Sequence, residues 1–218
     1  INHALYPRMS RAWPGKVQAF CRLRDASFRT ISLIAVPATV GSFLLAPETI
    51  DFLYGPEFAP AVVTYQLLVL VIPIRMLGNT LSLSLVATDR QKQRMVAVST
   101  TAALNITLNL FLIPRWSYLG AAIATVISES SLFVTYGLLL RQVAGRSDLL
   151  RSLSLPGLAS VPMGAAIVAM RGTGFVASVA VGAAVYVVAV AGLAMVQASG
   201  PTRHRPRALV ASLVRPTA

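Results

Sequence analysis

Long apolar stretches separated by short polar connections dominate the pattern along this chain. A membrane-spanning helix needs about 20 mainly apolar residues, and several stretches reach or approach that length. They are Ile31–Ala46, Ala61–Ala87, Met95–Ile113, Leu119–Leu140, Leu153–Met170 and Phe175–Val196. The first and the fifth are short and need flanking residues to complete a crossing. The pattern therefore predicts an all-α integral membrane protein with six transmembrane helices.

The composition supports the same class. Of the 218 residues, 56% are hydrophobic and 12% are charged, whereas a soluble domain has about 25% charged residues. The sequence supplies too little polar surface to cover so much apolar material in water.

The basic residues alternate along the chain in a way that predicts the orientation of the helices. Cytoplasmic loops of membrane proteins carry an excess of Lys and Arg. Apart from Arg75, Arg115 and Arg171, every basic residue lies before the first span, between the second and third, between the fourth and fifth, or after the sixth. The connection Pro47–Pro60 has only acidic charges and is interpreted as a solvated outer loop. We expect both termini to be cytoplasmic.

This layout divides the chain into three parts. Residues 1–30 are predicted to form a cytoplasmic linker with a basic amphipathic segment that lies on the anionic inner leaflet. Residues 31–196 form the six-helix lobe, and residues 197–218 form a basic cytoplasmic tail. The net charge of +12 follows from the orientation of the spans, so we expect no nucleic-acid partner.

Residues with enzyme chemistry are sparse. The two histidines, His3 and His204, lie near opposite ends of the chain. No paired-histidine metal motif, nucleophile motif or glycine-rich phosphate loop is present in the sequence. We expect neither a catalytic site, nor a metal, nor a cofactor.

A few polar side chains lie inside the apolar stretches and are the candidate site residues. Asn105 and Asn109 are one helical turn apart and share a helix face; they are expected to bond to other helices or to face a wet cavity. Arg75 and Glu129 lie at similar depth in two helices that run in the same direction. They either pair as a structural bridge, or Arg75 faces a cavity while Glu129 tunes it. Snorkelling or separate polar partners are a third alternative.

Prolines inside the spans are candidate bends. Pro37 and Pro73 each remove one backbone hydrogen bond from a helix, and in transporters such breaks can act as hinges. The alternative is that prolines are simply common in membrane helices.

Four segments carry a resemblance to a known family. They are "ALYPRMSR" at Ala4–Arg11, "VPATVGSFLLAPETIDFLYGPEFAPAV" at Val36–Val62, "LSLVATDRQKQ" at Leu83–Gln93 and "LNITLNLFLIPRWSYLGAAIATVISE" at Leu104–Glu129. In this order the chain resembles the multidrug/oligosaccharidyl-lipid/polysaccharide exporter superfamily, in its oligosaccharide flippase (polysaccharide biosynthesis protein) branch. One departure is Ser117, where the family commonly has a glycine.

The resemblance implies a fold of 12 to 14 helices in two lobes around a central cavity. Such proteins move polyprenyl-pyrophosphate-linked sugars across the bacterial plasma membrane by alternating access, for polymers such as lipopolysaccharide or exopolysaccharide. The chain would form the C-terminal lobe. Its implied partners are a lipid-linked oligosaccharide, membrane lipids and the N-terminal lobe of the same protein. In this reading Arg75 meets the lipid pyrophosphate.

Two other functions remain open from the sequence. One is a multidrug or cation antiporter of the same superfamily. The other is a membrane enzyme of cell-envelope assembly.

Overall fold

The structure, a computed structural model, consists of helices. It describes residues 2–145, 149–170, 172 and 174–199, and within these ranges it contains no strand. The helices are α1 (Asn2–Ala12), α2 (Val17–Leu44), α3 (Ala46–Tyr54), α4 (Val62–Val69), α5 (Val71–Ala87), α6 (Gln91–Ala144), α7 (Leu149–Ala169) and α8 (Phe175–Ser199), with a short 3-10 helix, Pro56–Ala61, before α4. The predicted all-α fold is confirmed. The predicted basic tail, 197–218, lies outside the described residues from position 200 onward.

Helix α6 is a hairpin of two antiparallel arms. Its 54 residues would extend about 80 Å if they were straight, far more than a bilayer core. At Ser117 the backbone leaves the helical region, with φ 50° and ψ −131°. The amide nitrogen Nδ2 of Asn105 lies 3.1 Å from Oγ of Ser128 across the turn. The two arms therefore correspond to the predicted spans Met95–Ile113 and Leu119–Leu140.

Gly120 makes the tight turn of this hairpin feasible. A Cβ at this position would lie 2.3 Å from the carbonyl oxygen of Leu112, so only glycine fits. Gly120, Ala124 and Ser128 follow at four-residue spacing, and all three are buried. The small residues let the second arm pack closely, as their spacing predicts.

The number of crossing segments agrees with the sequence. Five helical stretches of the described chain are long and apolar enough to cross a membrane, and one of them is the α6 hairpin. Counting its arms separately gives the six predicted spans. The main differences are that α2 already begins at Val17 and that the second span is divided at Leu70 between α4 and α5, although Leu70 keeps helical dihedral angles. Pro73 explains this break, because it has no amide hydrogen for the carbonyl of Val69, four residues earlier.

Helix α2 runs without interruption through residue 30, the end of the predicted linker. Its first turns, which carry the basic residues expected to lie on the leaflet surface, continue straight into the first span. Their position relative to a membrane remains a prediction.

The two ends of the lobe differ in character. At one end the start of α2 meets the ends of α5 and α6, and α1 packs over them; this apolar cluster consists of Met9, Ala12, Phe20, Ala87 and Ala144. At the other end Phe52 of α3 stacks on Phe175 of α8, with ring centroids 5.1 Å apart. The segment Pro47–Pro60 forms most of α3 and the 3-10 helix, so the expected solvated loop is in fact largely helical. Basic and acidic connections therefore lie at opposite ends.

Helix α2 holds the lobe together. It packs along α5 on one side and along α7 on the other, while α6 packs on α5 and α8 packs on α7. The main core consists of Phe28, Ile31 and Ala35 of α2, Leu77, Leu81 and Leu85 of α5, and Ala97, Tyr136 and Leu140 of α6. This arrangement places α5 against both arms of α6, where the candidate site residues lie.

Candidate functional site

Arg75 of α5 and Glu129 of α6 form an ion pair. The Nε of Arg75 lies 3.1 Å from Oε1 of Glu129, and Nη2 donates to the same oxygen. The structure thus brings together the two charged residues that the sequence places deep inside spans. Their functional role remains a prediction.

The two partners of this pair are unequally exposed. The side chain of Glu129 is 19% exposed, whereas that of Arg75 is 64% exposed. The carboxylate is therefore held between the helices, and the guanidinium extends from it to the surface of the lobe. The pair combines features of both predicted roles, because it bridges α5 and α6 and still presents a cation.

The pair borders a groove of about 230 Å³ between α5 and α6. We call it the Arg75 groove, and its lining residues are Ile74, Arg75, Gly78, Asn79, Ser82, Arg94, Val98, Glu129, Leu132, Phe133 and Tyr136. On α5 the polar members recur as Arg75, Asn79 and Ser82, a spacing that aligns them on one helix face. The groove is thus a polar strip on an otherwise apolar pair of helices.

Arg94 supplies a second cation to the Arg75 groove. Its Nε donates to Oγ of Ser82 at 2.6 Å, which ties the first turn of α6 to α5. Sequence reasoning assigned Arg94 to a cytoplasmic loop and missed its role here. The signal that could have found it is the one-face spacing of Arg75, Asn79 and Ser82, which indicates a polar strip leading toward the basic end.

The two asparagines lie outside the Arg75 groove. Nδ2 of Asn109 donates to Oδ1 of Asn105 at 3.0 Å, and Asn105 in turn donates to Ser128 in the second arm. The Asn105–Ser128 bond joins the two arms of the hairpin, whereas the Asn109–Asn105 bond stays within the first arm and leaves Oδ1 of Asn109 buried without a hydrogen-bond partner. A contribution of Asn105 and Asn109 to a substrate cavity stays a prediction.

The two candidate hinges differ in setting. Pro37 lies inside the continuous helix α2, whereas Pro73 follows the break at Leu70 by three residues. Whether either position moves is a matter of prediction.

A family profile decides the classification of this chain. The profile described as "Lipid II flippase MurJ" matches residues 1–196, which is most of the sequence. The chain belongs to the lipid II flippase MurJ family. No curated protein matches the chain.

A solved structure supports the fold. The chain is similar to "Lipid II flippase MurJ, inward closed conformation", with a TM-score of 0.73 and 17% sequence identity over 87% of this chain. The match covers 41% of that flippase, so the chain spans less than half of its length. This likeness confirms a lobe of a flippase fold.

MurJ membership confirms the coarser expectations from the motifs. The chain is a multi-pass membrane protein of a flippase family with a lipid-linked substrate, and such flippases are transporters, not enzymes. The match is to MurJ and gives no specific support to the oligosaccharide branch or to lipopolysaccharide and exopolysaccharide.

Proposed function

We propose that this chain is the C-terminal lobe of a flippase that moves a polyprenyl-pyrophosphate-linked sugar precursor across the bacterial plasma membrane by alternating access. The description of the matching family names lipid II, which we take as the substrate. The basic end of the lobe, with both termini, faces the cytoplasm. The N-terminal lobe, whose helices this chain does not contain, closes the cavity. The observation that carries the proposal is the exposed guanidinium of Arg75 at mid-depth.

The position of Arg75 supports a cavity on its side of the lobe. At a rise of 1.5 Å per residue, Arg75 lies about 18 Å from the end of α5 at Ala87. A charge that faces lipid at this depth costs at least about 2.5–3.5 kcal/mol. Because Arg75 is 64% exposed on this chain, its face of α5 is expected to line a polar space rather than the hydrocarbon.

The charges of the Arg75 groove favour an anionic cargo. Arg75 and Arg94 together outweigh the single carboxylate of Glu129. A guanidinium has five N–H donors, and Glu129 engages only two nitrogens of Arg75. The remaining donors suit the oxygens of a pyrophosphate, which guanidinium groups bind in a forked geometry. Glu129 thereby orients Arg75 for its ligand. The same excess of positive charge disfavours an organic cation, the cargo of the antiporter alternative.

Native mass spectrometry of the full-length protein, extracted from its own membranes, tests the proposal. We expect a bound species with the mass of lipid II, and about tenfold lower occupancy in Arg75→Ala. The control is Arg115→Ala, which removes an exposed arginine outside the Arg75 groove and leaves occupancy unchanged. A different polyprenyl-pyrophosphate oligosaccharide would move the substrate to the branch that the motifs suggested. An organic cation would favour the antiporter.

A complementation experiment tests the requirement for the rest of the protein. Expressed in cells depleted of their lipid II flippase, the full-length protein is expected to restore growth. The 218 residues alone are not, because one lobe cannot alternate the access of a two-lobed cavity. Growth with the lobe alone would contradict this part of the proposal.

A further inference from the structure

The carbonyl of Leu33 in helix α2 cannot accept the usual helical hydrogen bond from the backbone. In an α-helix the amide of each residue donates to the carbonyl four residues earlier. Pro37 has no amide hydrogen, so Leu33 loses its helical donor. A hydroxyl from another helix takes the place of that donor: the phenol of Tyr186 in α8 lies 2.7 Å from the Leu33 oxygen.

The same arrangement occurs a second time and involves Ser32, the residue before Leu33 in α2. Pro156 in α7 has no amide hydrogen to donate to the carbonyl of Ser152. The hydroxyl of Ser32 in α2 donates to that carbonyl at 2.8 Å, a shorter distance than the 3.0 Å that separates it from the Arg29 carbonyl of its own helix. Ser32 is completely buried, so its hydroxyl is held within the contact between α2 and α7.

These two bonds connect three helices through adjacent residues of α2. Ser32 donates to α7, and Leu33 accepts from α8. The packing around them is close: a Cβ on Gly182 of α8 would lie 2.9 Å from Ile167 of α7. Tyr186 also packs its ring against the apolar cluster of Leu45, Met163 and Ile167, which joins α2 to α7.

We propose that Tyr186 and Ser32 are locks that hold α2, α7 and α8 together as one body. Each lock occupies a carbonyl that a proline leaves without its helical donor. The candidate hinge at Pro37 is therefore held by α8. The proposal does not depend on the identity of the transported lipid.

A double-mutant cycle tests the Tyr186 lock in the full-length protein. Tyr186→Phe removes only the hydroxyl, and Pro37→Ala returns an amide donor to the Leu33 carbonyl. We expect Tyr186→Phe alone to raise the equilibrium constant for unfolding in detergent about fivefold, since one hydrogen bond is lost. In the Pro37→Ala background the same change should have less than about a twofold effect. Equal effects in the two backgrounds, or no effect in the native one, overturn the proposal.

The Ser32 lock has a parallel cycle and a matched control. Ser32→Ala should raise the equilibrium constant for unfolding about fivefold in the native background and less than about twofold in the Pro156→Ala background. Ser84→Ala removes an equally buried hydroxyl that bonds within its own helix, to the carbonyl of Thr80 at 2.7 Å. This control should change the unfolding constant less than about twofold. A Ser84→Ala effect as large as that of Ser32→Ala contradicts a cross-helix lock.

Hydrogen exchange separates a lock from a general loss of stability. Tyr186→Phe should speed amide exchange about fivefold in residues 31–44 of α2 and leave residues 66–75, around the α4–α5 break, unchanged. Uniform acceleration over both regions overturns the proposal. If Tyr186→Phe does not fold, folding of the double variant with Pro37→Ala supports the lock, and its failure to fold overturns it.

Discussion

Glu129 holds Arg75 through a single carboxylate oxygen, Oε1, which accepts from both Nε and Nη2 of the guanidinium. This geometry ties α5 to the second arm of α6 and leaves the outer part of the guanidinium exposed. Removal of either partner therefore has two consequences: one contact between the helices is lost, and the cation is either absent or no longer oriented.

A charge series at this pair separates the two consequences. In the full-length protein, Arg75→Ala and Glu129→Ala are each expected to lower transport of the lipid substrate by about tenfold or more, because buried or mid-membrane ion pairs are sensitive to loss of one partner. Arg75→Lys keeps the charge without the fork and should retain an intermediate rate. The measurement is flipping of a labelled lipid precursor in proteoliposomes.

The exchange of Arg75 and Glu129 decides between a bridge and a ligand site. If the pair serves only to join α5 and α6, Arg75→Glu with Glu129→Arg restores both expression and transport. If Arg75 binds the pyrophosphate, the exchange restores expression and leaves transport low. Wild-type transport by both single alanine variants would contradict either role.

Gly120 gives a prediction about the hairpin itself. Gly120→Ala is expected to lower the free energy of unfolding by about 2–3 kcal/mol, because the added methyl meets the backbone of Leu112, which cannot move aside easily. Gly137→Ala is the control in the second arm, where a Cβ finds nothing within 4 Å; it should raise stability by about 0.5–1 kcal/mol. Thermal unfolding of the two variants in detergent measures the difference. Equal effects would contradict the close approach at Gly120.

Much of this hairpin was predictable, and the reason is local. Pro114 indicates the end of the first arm, although the backbone leaves the helical region three residues later, at Ser117. Gly120 and the small residues that follow it at four-residue spacing indicate a close-packed helix. The depth of Arg75 and Glu129 followed from the direction of their two helices, which is why their proximity could be expected. These inferences need only periodicity, charge and the rise of a helix.

Other features depend on partners that the sequence does not identify. Pro37 indicates that the Leu33 carbonyl needs another donor, yet nothing in the apolar run around Tyr186 indicates that this tyrosine supplies it. Arg94 was assigned to a loop because it lies between two predicted spans, and its contact with Ser82 is set by how the chain turns between α5 and α6. Tertiary packing decides both contacts.

Ser117 gives a prediction from backbone strain. Its φ of 50° and ψ of −131° lie in a region that glycine adopts readily and other residues do not. Ser117→Gly is therefore expected to raise the free energy of unfolding by about 1 kcal/mol. Ser99→Gly, at an exposed helical position of the first arm, should instead lower it by about 0.5 kcal/mol. Chemical denaturation of both variants in detergent checks the opposite signs, and a loss of stability in Ser117→Gly would contradict the strained turn.

The orientation of the lobe can be tested by cysteine labelling. Glu57 in the 3-10 helix and Ser117 in the hairpin turn lie at the acidic end, and Gln93 lies at the basic end near the start of α6; all three are exposed. The native Cys21, whose Sγ lies 3.2 Å from the carbonyl of Ala144, is first changed to serine so that a donor is kept. In intact cells, Glu57→Cys and Ser117→Cys should react with a membrane-impermeant maleimide, and Gln93→Cys should react only after the membrane is opened. The reason is the excess of Lys and Arg at the basic end, which retains that end in the cytoplasm.

The reverse labelling pattern would show that the lobe is inverted in the membrane. The Arg94 side of the Arg75 groove would then face the outside. Reaction of all three in intact cells would contradict a six-span arrangement of this lobe.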